Sequence, residues 1–211
     1  TNPSGGVGSL WYNKTGGEMY VCTDATAGAN IWTNVGAGTG DVVPWKYQGE
    51  TYGYVCGGNV GGTDVIQRFS FTTDGNATDV GDLTVGRYGS ASQSSEPYGY
   101  VCGGAPTTFR IDKFSFATGT QNSSNIGDIT GAGTTSARQY PVGQSSTTYG
   151  YSTGSQPDVD IIDRFSFTTD GNAVDVGNLT QARAHAAGAS SATYGYLAGG
   201  ITPYYNIIDK F

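Results

Sequence analysis

Histidine is almost missing from this chain of 211 residues: His185 stands alone. A single imidazole cannot build a multi-histidine zinc site, and it removes most of the support for Ser-His-Asp catalysis. Cysteine is scarce too, and the three present, Cys22, Cys56 and Cys102, form an odd set that cannot complete a disulfide framework. Basic residues are few: 10 Lys and Arg against 17 Asp and Glu give a formal charge of −7. A phosphate backbone or an anionic membrane would be repelled rather than bound. No apolar run is long enough to span a bilayer, and no charged-then-apolar signal segment opens the chain. Lys, Glu, Leu and Met, the helix formers, are few, so almost no helix is predicted.

What the chain has in quantity is glycine, with 35 residues, and tyrosine, with 15. They fall into a repeat. Tyr52-Gly-Tyr-Val-Cys-Gly-Gly58 returns as Tyr98-Gly-Tyr-Val-Cys-Gly-Gly104, as Tyr149-Gly-Tyr151 and as Tyr194-Gly-Tyr-Leu-Ala-Gly-Gly200. Each copy leads to an aromatic segment, Ile66 to Phe71, Ile111 to Phe116, Ile162 to Phe167 and Ile208 to Phe211. In three copies a Val/Ile-Gly-Asp/Asn-Leu/Ile-Thr element follows, ending at Thr84, Thr130 and Thr180. The period of about 45 to 50 residues falls among propeller repeats. One unit reads as four strands: a small-residue strand after Arg87, then Tyr98 to Cys102, Ile111 to Phe116, and a last one around Ile126 to Ile129. Period-two alternation sets Phe69, Phe71, Phe114, Phe116, Phe165 and Phe167 in the core between units. Thr73-Asp-Gly-Asn76 and Thr169-Asp-Gly-Asn172 read as tight turns with glycine at positive φ.

Residues 1–40 do not match the repeat and read as a β-hairpin module with a third strand at Ile31 to Val35. Gly36 to Asp41 is a glycine-rich hinge, and the array runs over 41–211, with units at about 42–83, 87–130, 138–180 and a partial one at 183–211. Val42 to Gly49 is the shortened first strand. The chain starts without methionine and stops inside a repeat, so a longer protein continuing beyond Phe211 is expected.

The Gly-Gly doublets at 57–58, 103–104 and 199–200, preceded in each later unit by Arg87, Arg138 or Arg183, resemble the kelch repeat of β-propellers. Two departures stand out: the third copy has Gly154-Ser155, and the usual tryptophan is replaced by the Val/Ile-Gly-Asp/Asn element. The resemblance implies an all-β array of kelch-like blades, and a framework role for His185, which follows Arg183. A second resemblance covers residues 8–35. Leu10, Trp11, Tyr12, Asn13, Thr15, Gly17, Tyr20, Val21 and Trp32 are similar to a small module of tailed-phage tail-fibre and other virion proteins.

Chemistry is thin. Copper oxidases on a kelch propeller need two histidines, and the sialidase Asp-box is absent. Most acids recur from unit to unit, Asp112 with Asp163 and Asp209, Asp82 with Asp128, Asp74 with Asp170, whereas an active site is made once. Asp74 to Asp79 and Asp170 to Asp175 lack the alternating oxygen spacing of a calcium loop. No enzyme activity, cofactor or metal is therefore expected. Loops that differ between copies are where recognition belongs. The candidate ligand-binding residues, chosen because they lie in variable loops or outside the repeated motif, are Trp45, Tyr47, Tyr88, Tyr140, Tyr204 and Tyr205.

The resemblances imply a structural and recognition protein on the surface of a phage virion. It would be a tail fibre or other component, assembled in the host cytoplasm, with partners among virion proteins, copies of itself, and a host-surface glycan or protein. Cysteines without a disulfide framework suit a reducing compartment. The alternatives are an extracellular bacterial adhesin, a carbohydrate-active enzyme and an intracellular kelch adaptor.

Overall fold

The computed structural model describes residues 5–12, 18–26, 30–35, 51–59, 62–106, 108–117, 119–131, 138–191, 193–201 and 203–211. Seventeen strands form five small antiparallel sheets, and no helix occurs among the described residues. The chain divides into two compact units, Thr1–Lys46 and Tyr47–Phe211. The hinge expected at 36–41 and the strand expected at 42–49 lie outside the described residues, as do Trp45 and Tyr47.

In the first unit β1 (Leu10–Tyr12), β2 (Met19–Asp24) and β3 (Ile31–Asn34) make one sheet in that order. Trp11, itself half exposed, lies opposite Tyr20 with ring centroids 5.3 Å apart, and Cys22, opposite Trp32, is fully buried. The other parity, Leu10, Tyr12, Met19, Ile31 and the adjoining Val35, stands exposed. A sheet this small cannot cover both of its faces with its own side chains.

The second unit holds four sheets. They are β4 (Tyr52–Gly58), β5 (Thr63–Ser70) and β6 (Thr78–Asp82); β7 (Ala91–Ser94), β8 (Tyr98–Cys102), β9 (Arg110–Ser115) and β10 (Ser124–Asp128); β11 (Val142–Ser145), β12 (Tyr149–Ser155), β13 (Val159–Ser166) and β14 (Val174–Asn178); and β15 (Ala187–Ser190), β16 (Gly195–Ala198) and β17 (Ile208–Lys210). Each is a simple meander, with neighbouring strands hydrogen-bonded in chain order.

The register explains Tyr-Gly-Tyr residue by residue. The glycine sits opposite the first phenylalanine of the next strand, Gly53 with Phe69, Gly99 with Phe114 and Gly150 with Phe165. That phenyl ring lies flat over the glycine, so a Cβ there would run into it. The first tyrosine takes a cation on its outer face: Arg68 over Tyr52 at 4.4 Å, Lys113 over Tyr98 at 4.7 Å, Arg164 over Tyr149 at 4.5 Å and Lys210 over Tyr194 at 3.7 Å. The second tyrosine crosses to the following sheet. Tyr54 packs on Phe114 and Phe116 at 5.4 and 5.0 Å, Tyr100 on Phe165 and Phe167 at 5.4 and 4.8 Å, and Tyr151 on Phe211 at 6.0 Å.

Polar bonds join the same sheets at both margins. Between first strands, the Ser94 and Ser145 amides donate to Ser145 Oγ (3.1 Å) and Ser190 Oγ (3.0 Å). At the outer strands the Asp82 and Asp128 amides donate to Asn122 Oδ1 and Asn172 Oδ1, each at 3.0 Å.

Two expectations are corrected. Phe71 is 56% exposed, not core, because no tyrosine of a preceding sheet covers it among the described residues. Gly75 and Gly171 are not in the left-handed region. Their turns are built instead by Ser70 Oγ and Ser166 Oγ, each accepting two backbone N–H groups (3.1 to 3.2 Å), so no positive φ is required.

Gly99→Ala is expected to force Phe114 off its seat and lower stability by about 1–3 kcal/mol, the usual cost of overpacking. Gly75→Ala, with open space around its Cα, serves as the near-neutral control in the same urea titration.

Candidate functional site

An arginine heads each later sheet, and all three, Arg87, Arg138 and Arg183, are fully buried. A buried guanidinium must be paired. Arg87 Nη2 meets Asp112 Oδ2 at 2.8 Å, Arg183 Nη2 meets Asp209 Oδ2 at 2.9 Å, and Arg138 is paired with Asp163. The same carboxylate also accepts from the threonine that ends the preceding sheet: Thr84 Oγ1 at 2.7 Å, Thr130 Oγ1 at 2.8 Å and Thr180 Oγ1 at 2.6 Å. Meanwhile the arginine carbonyl accepts from the doublet of the preceding sheet, from Gly58, Gly104 and Ser155 amides at 3.0, 2.9 and 3.2 Å. Asp112, Asp163 and Asp209 are one of the recurring sets of acids in the sequence, and their place is at the sheet junctions.

The junctions differ in how fully the guanidinium is satisfied. Arg138 Nε donates to Ser155 Oγ at 3.2 Å, whereas Arg87 and Arg183 face Gly104 and Gly200 there, and their Nε donors, with Arg87 Nη1, have no protein acceptor. Burial pushes the Arg87 and Arg138 guanidinium pKa values down, against the opposing pull of their aspartates. Burial likewise raises Asp209, but the Thr180 bonds and then Arg183 outweigh it and hold it below the usual carboxylate range.

Directly after each arginine the chain is tied to the loop that follows the doublet. Isolated bridges pair Tyr88 with Ala105, Gln139 with Gln156 and Ala184 with Ile201. The starts of β7, β11 and β15 and the variable loops therefore share one end of the sheets. Two residues past the arginine stands a position of positive φ: Gly89 at 59°, Tyr140 at 53° and His185 at 54°. For a bulky side chain this conformation costs about 1–3 kcal/mol, which glycine avoids.

The strained rings touch. Tyr140 and His185 stack with centroids 3.9 Å apart and planes 27° from parallel, and Tyr88 meets Tyr140 edge-on at 6.4 Å. His185 Nε2 lies 3.5 Å from Gln156 Oε1, a residue of the loop. A cleft of about 510 Å³ opens beside them, lined by Tyr54, Val55, Cys56, Gly58, Asn59, Tyr88, Gly89, Ser90, Ser92 and Tyr140.

Of the residues named from sequence, Tyr88 and Tyr140 are brought together. Tyr204 is 91% exposed on the loop after Gly200, and the Tyr205 amide donates to the Gly200 carbonyl at 3.1 Å. His185 is exposed and stacked on Tyr140, not inside the framework. The signal that could have found it was in the sequence: it aligns with Gly89, and a residue that replaces a turn glycine is held there at a cost. All three cysteines are free thiols. Burial pushes Cys56 up to about 12 and raises Cys102 as well, which keeps both protonated and unreactive.

Ser155→Ala is expected to leave Arg138 Nε without its acceptor and cost about 1–3 kcal/mol in chemical denaturation. For Asp209 the folded value is lowered. Its stabilisation is thus complete above the ordinary Asp value of about 3.9 and is lost as pH falls through the lowered folded value. Asp209→Asn should therefore lose stability less steeply below about pH 4 than the unaltered chain, read from urea midpoints across the acid range.

Compared with known proteins, the chain matches no family model, and a search of curated proteins finds no significant match.

Proposed function

We propose that the chain is a non-catalytic recognition and structural protein of a phage virion, a tail fibre or another surface component. Its repeated sheets are blades of a kelch-like propeller, and the end carrying Tyr88, Tyr140 and His185 faces the host-surface glycan or protein. The observation that carries the recognition role is the separation of parts. The recurring arginines and the aspartates at 112, 163 and 209 are consumed at sheet junctions, while aromatic side chains collect at the end where the loops vary. Meanders in chain order, with first strands bonded side by side, support the propeller. The phage assignment rests on the likeness of residues 8–35 to virion modules. The exposed face of Leu10, Tyr12, Met19, Ile31 and Val35, interrupted by the Thr23–Thr33 pair, is mostly apolar and uncharged, as suits attachment to another virion protein or to a second copy.

An antibody raised against the chain should decorate phage tails in electron micrographs of the source material. Label confined to bacterial envelopes would replace the virion reading with an adhesin.

A further inference from the structure

We infer that the Tyr88–Tyr140 edge of the aromatic ladder is a subsite for a neutral pyranose ring. The inference rests on the recognition role proposed above and narrows its ligand to a class. Three observations carry it.

The ion-pair junction does not need a ring at this position. The unit headed by Arg87 builds the same buried ion pair, the same Thr84 bond and the same bridge with plain Gly89 at the left-handed position. Tyr140 and His185 keep bulky side chains where glycine would be relaxed, and strain of this kind gathers where a side chain is needed for contact.

The cleft has the right character. One face of the Tyr140 ring lies on Gly89 and the other carries His185, so the cleft presents the edge of Tyr140 beside the Tyr88 ring, and Asn59, Ser90 and Ser92 supply donors and acceptors for the hydroxyl groups of a sugar. It is open to solvent, and its volume of about 510 Å³ admits a single sugar ring.

The charge selects neutral sugars. No cation lines the cleft, and nearby Arg87 is fully buried and held by Asp112. The chain as a whole is at −7. A sialylated or sulfated glycan would find no counter-charge there.

The test uses the intact chain with maltotetraose, cellotetraose, chitotetraose and mannotetraose as neutral probes and 3′-sialyllactose as the anionic one, read by saturation-transfer NMR and calorimetry. At least one neutral probe should bind. Tyr140→Phe, which keeps the ring, should retain binding. Tyr140→Gly and Tyr140→Asn, both tolerant of the left-handed backbone, should weaken it at least tenfold while the melting temperature holds or rises. Binding of sialyllactose alone, or glycine and asparagine variants that bind as well as the unaltered chain, would overturn the inference. A chain that labels host cells but takes no neutral probe also refutes it, yet leaves the recognition role standing. A chain that binds neither cells nor sugars sinks both.

Discussion

Each pair of neighbouring sheets in the repeat unit meets over a guanidinium that has no access to water. Such a charge is tolerable only with a carboxylate in contact. Everything nearby follows from meeting that demand. The aspartate sits in the third strand of the arginine's own sheet, its second acceptor position is filled by a threonine of the sheet before, and the arginine carbonyl is fixed by the glycine-doublet amide of that earlier sheet. One residue thus sets the relative position of two sheets by side chain and backbone together. In these sheets, rich in Gly, Ser and Thr, the tyrosine resting on phenylalanine of the next sheet supplies the apolar part of the junction, and the ion pair supplies its register. Gln67 occupies the aspartate position in β5, so the first described sheet carries no such carboxylate.

The same pinning shapes the end that carries the variable loops. With the arginine carbonyl held, the chain must turn sharply into the first strand of the sheet, and it does so through the left-handed residue at 89, 140 and 185. Whatever side chain stands there is projected beside the loop after the doublet. The junction can therefore stay constant while the ring at that position and the loop beside it change, which is how a repeat scaffold carries a site that is not itself repeated.

Much of the architecture could be read from sequence because it is periodic. Strand order, the phenylalanines at 114 and 165, and the structural nature of the recurring aspartates all follow from repetition and parity. The roles inside Tyr-Gly-Tyr could not be read that way: that the glycine makes room for a ring, that the first tyrosine meets a cation and that the second crosses to the next sheet depend on register between strands. Phe71 was misjudged because its partner would come from outside its own unit. Gly75 and Gly171 depart from the expected positive φ because a serine hydroxyl five residues upstream does the work assigned to a glycine backbone. Tyr88 and Tyr140 were identifiable as variable aromatics, but their approach, and the inclusion of His185, needed the geometry.

The most direct test of this account is a double-mutant cycle on the Arg138–Asp163 pair, with Arg138→Met, Asp163→Leu and the two combined, followed by urea unfolding. If the ion pair organises the junction, either single change costs about 3–5 kcal/mol by stranding a buried charge, and the combined variant recovers much of the loss, a coupling of about 2 kcal/mol or more. Additive losses, with no recovery in the double variant, would show that the sheets are held by their aromatic contacts and that the buried pair is incidental.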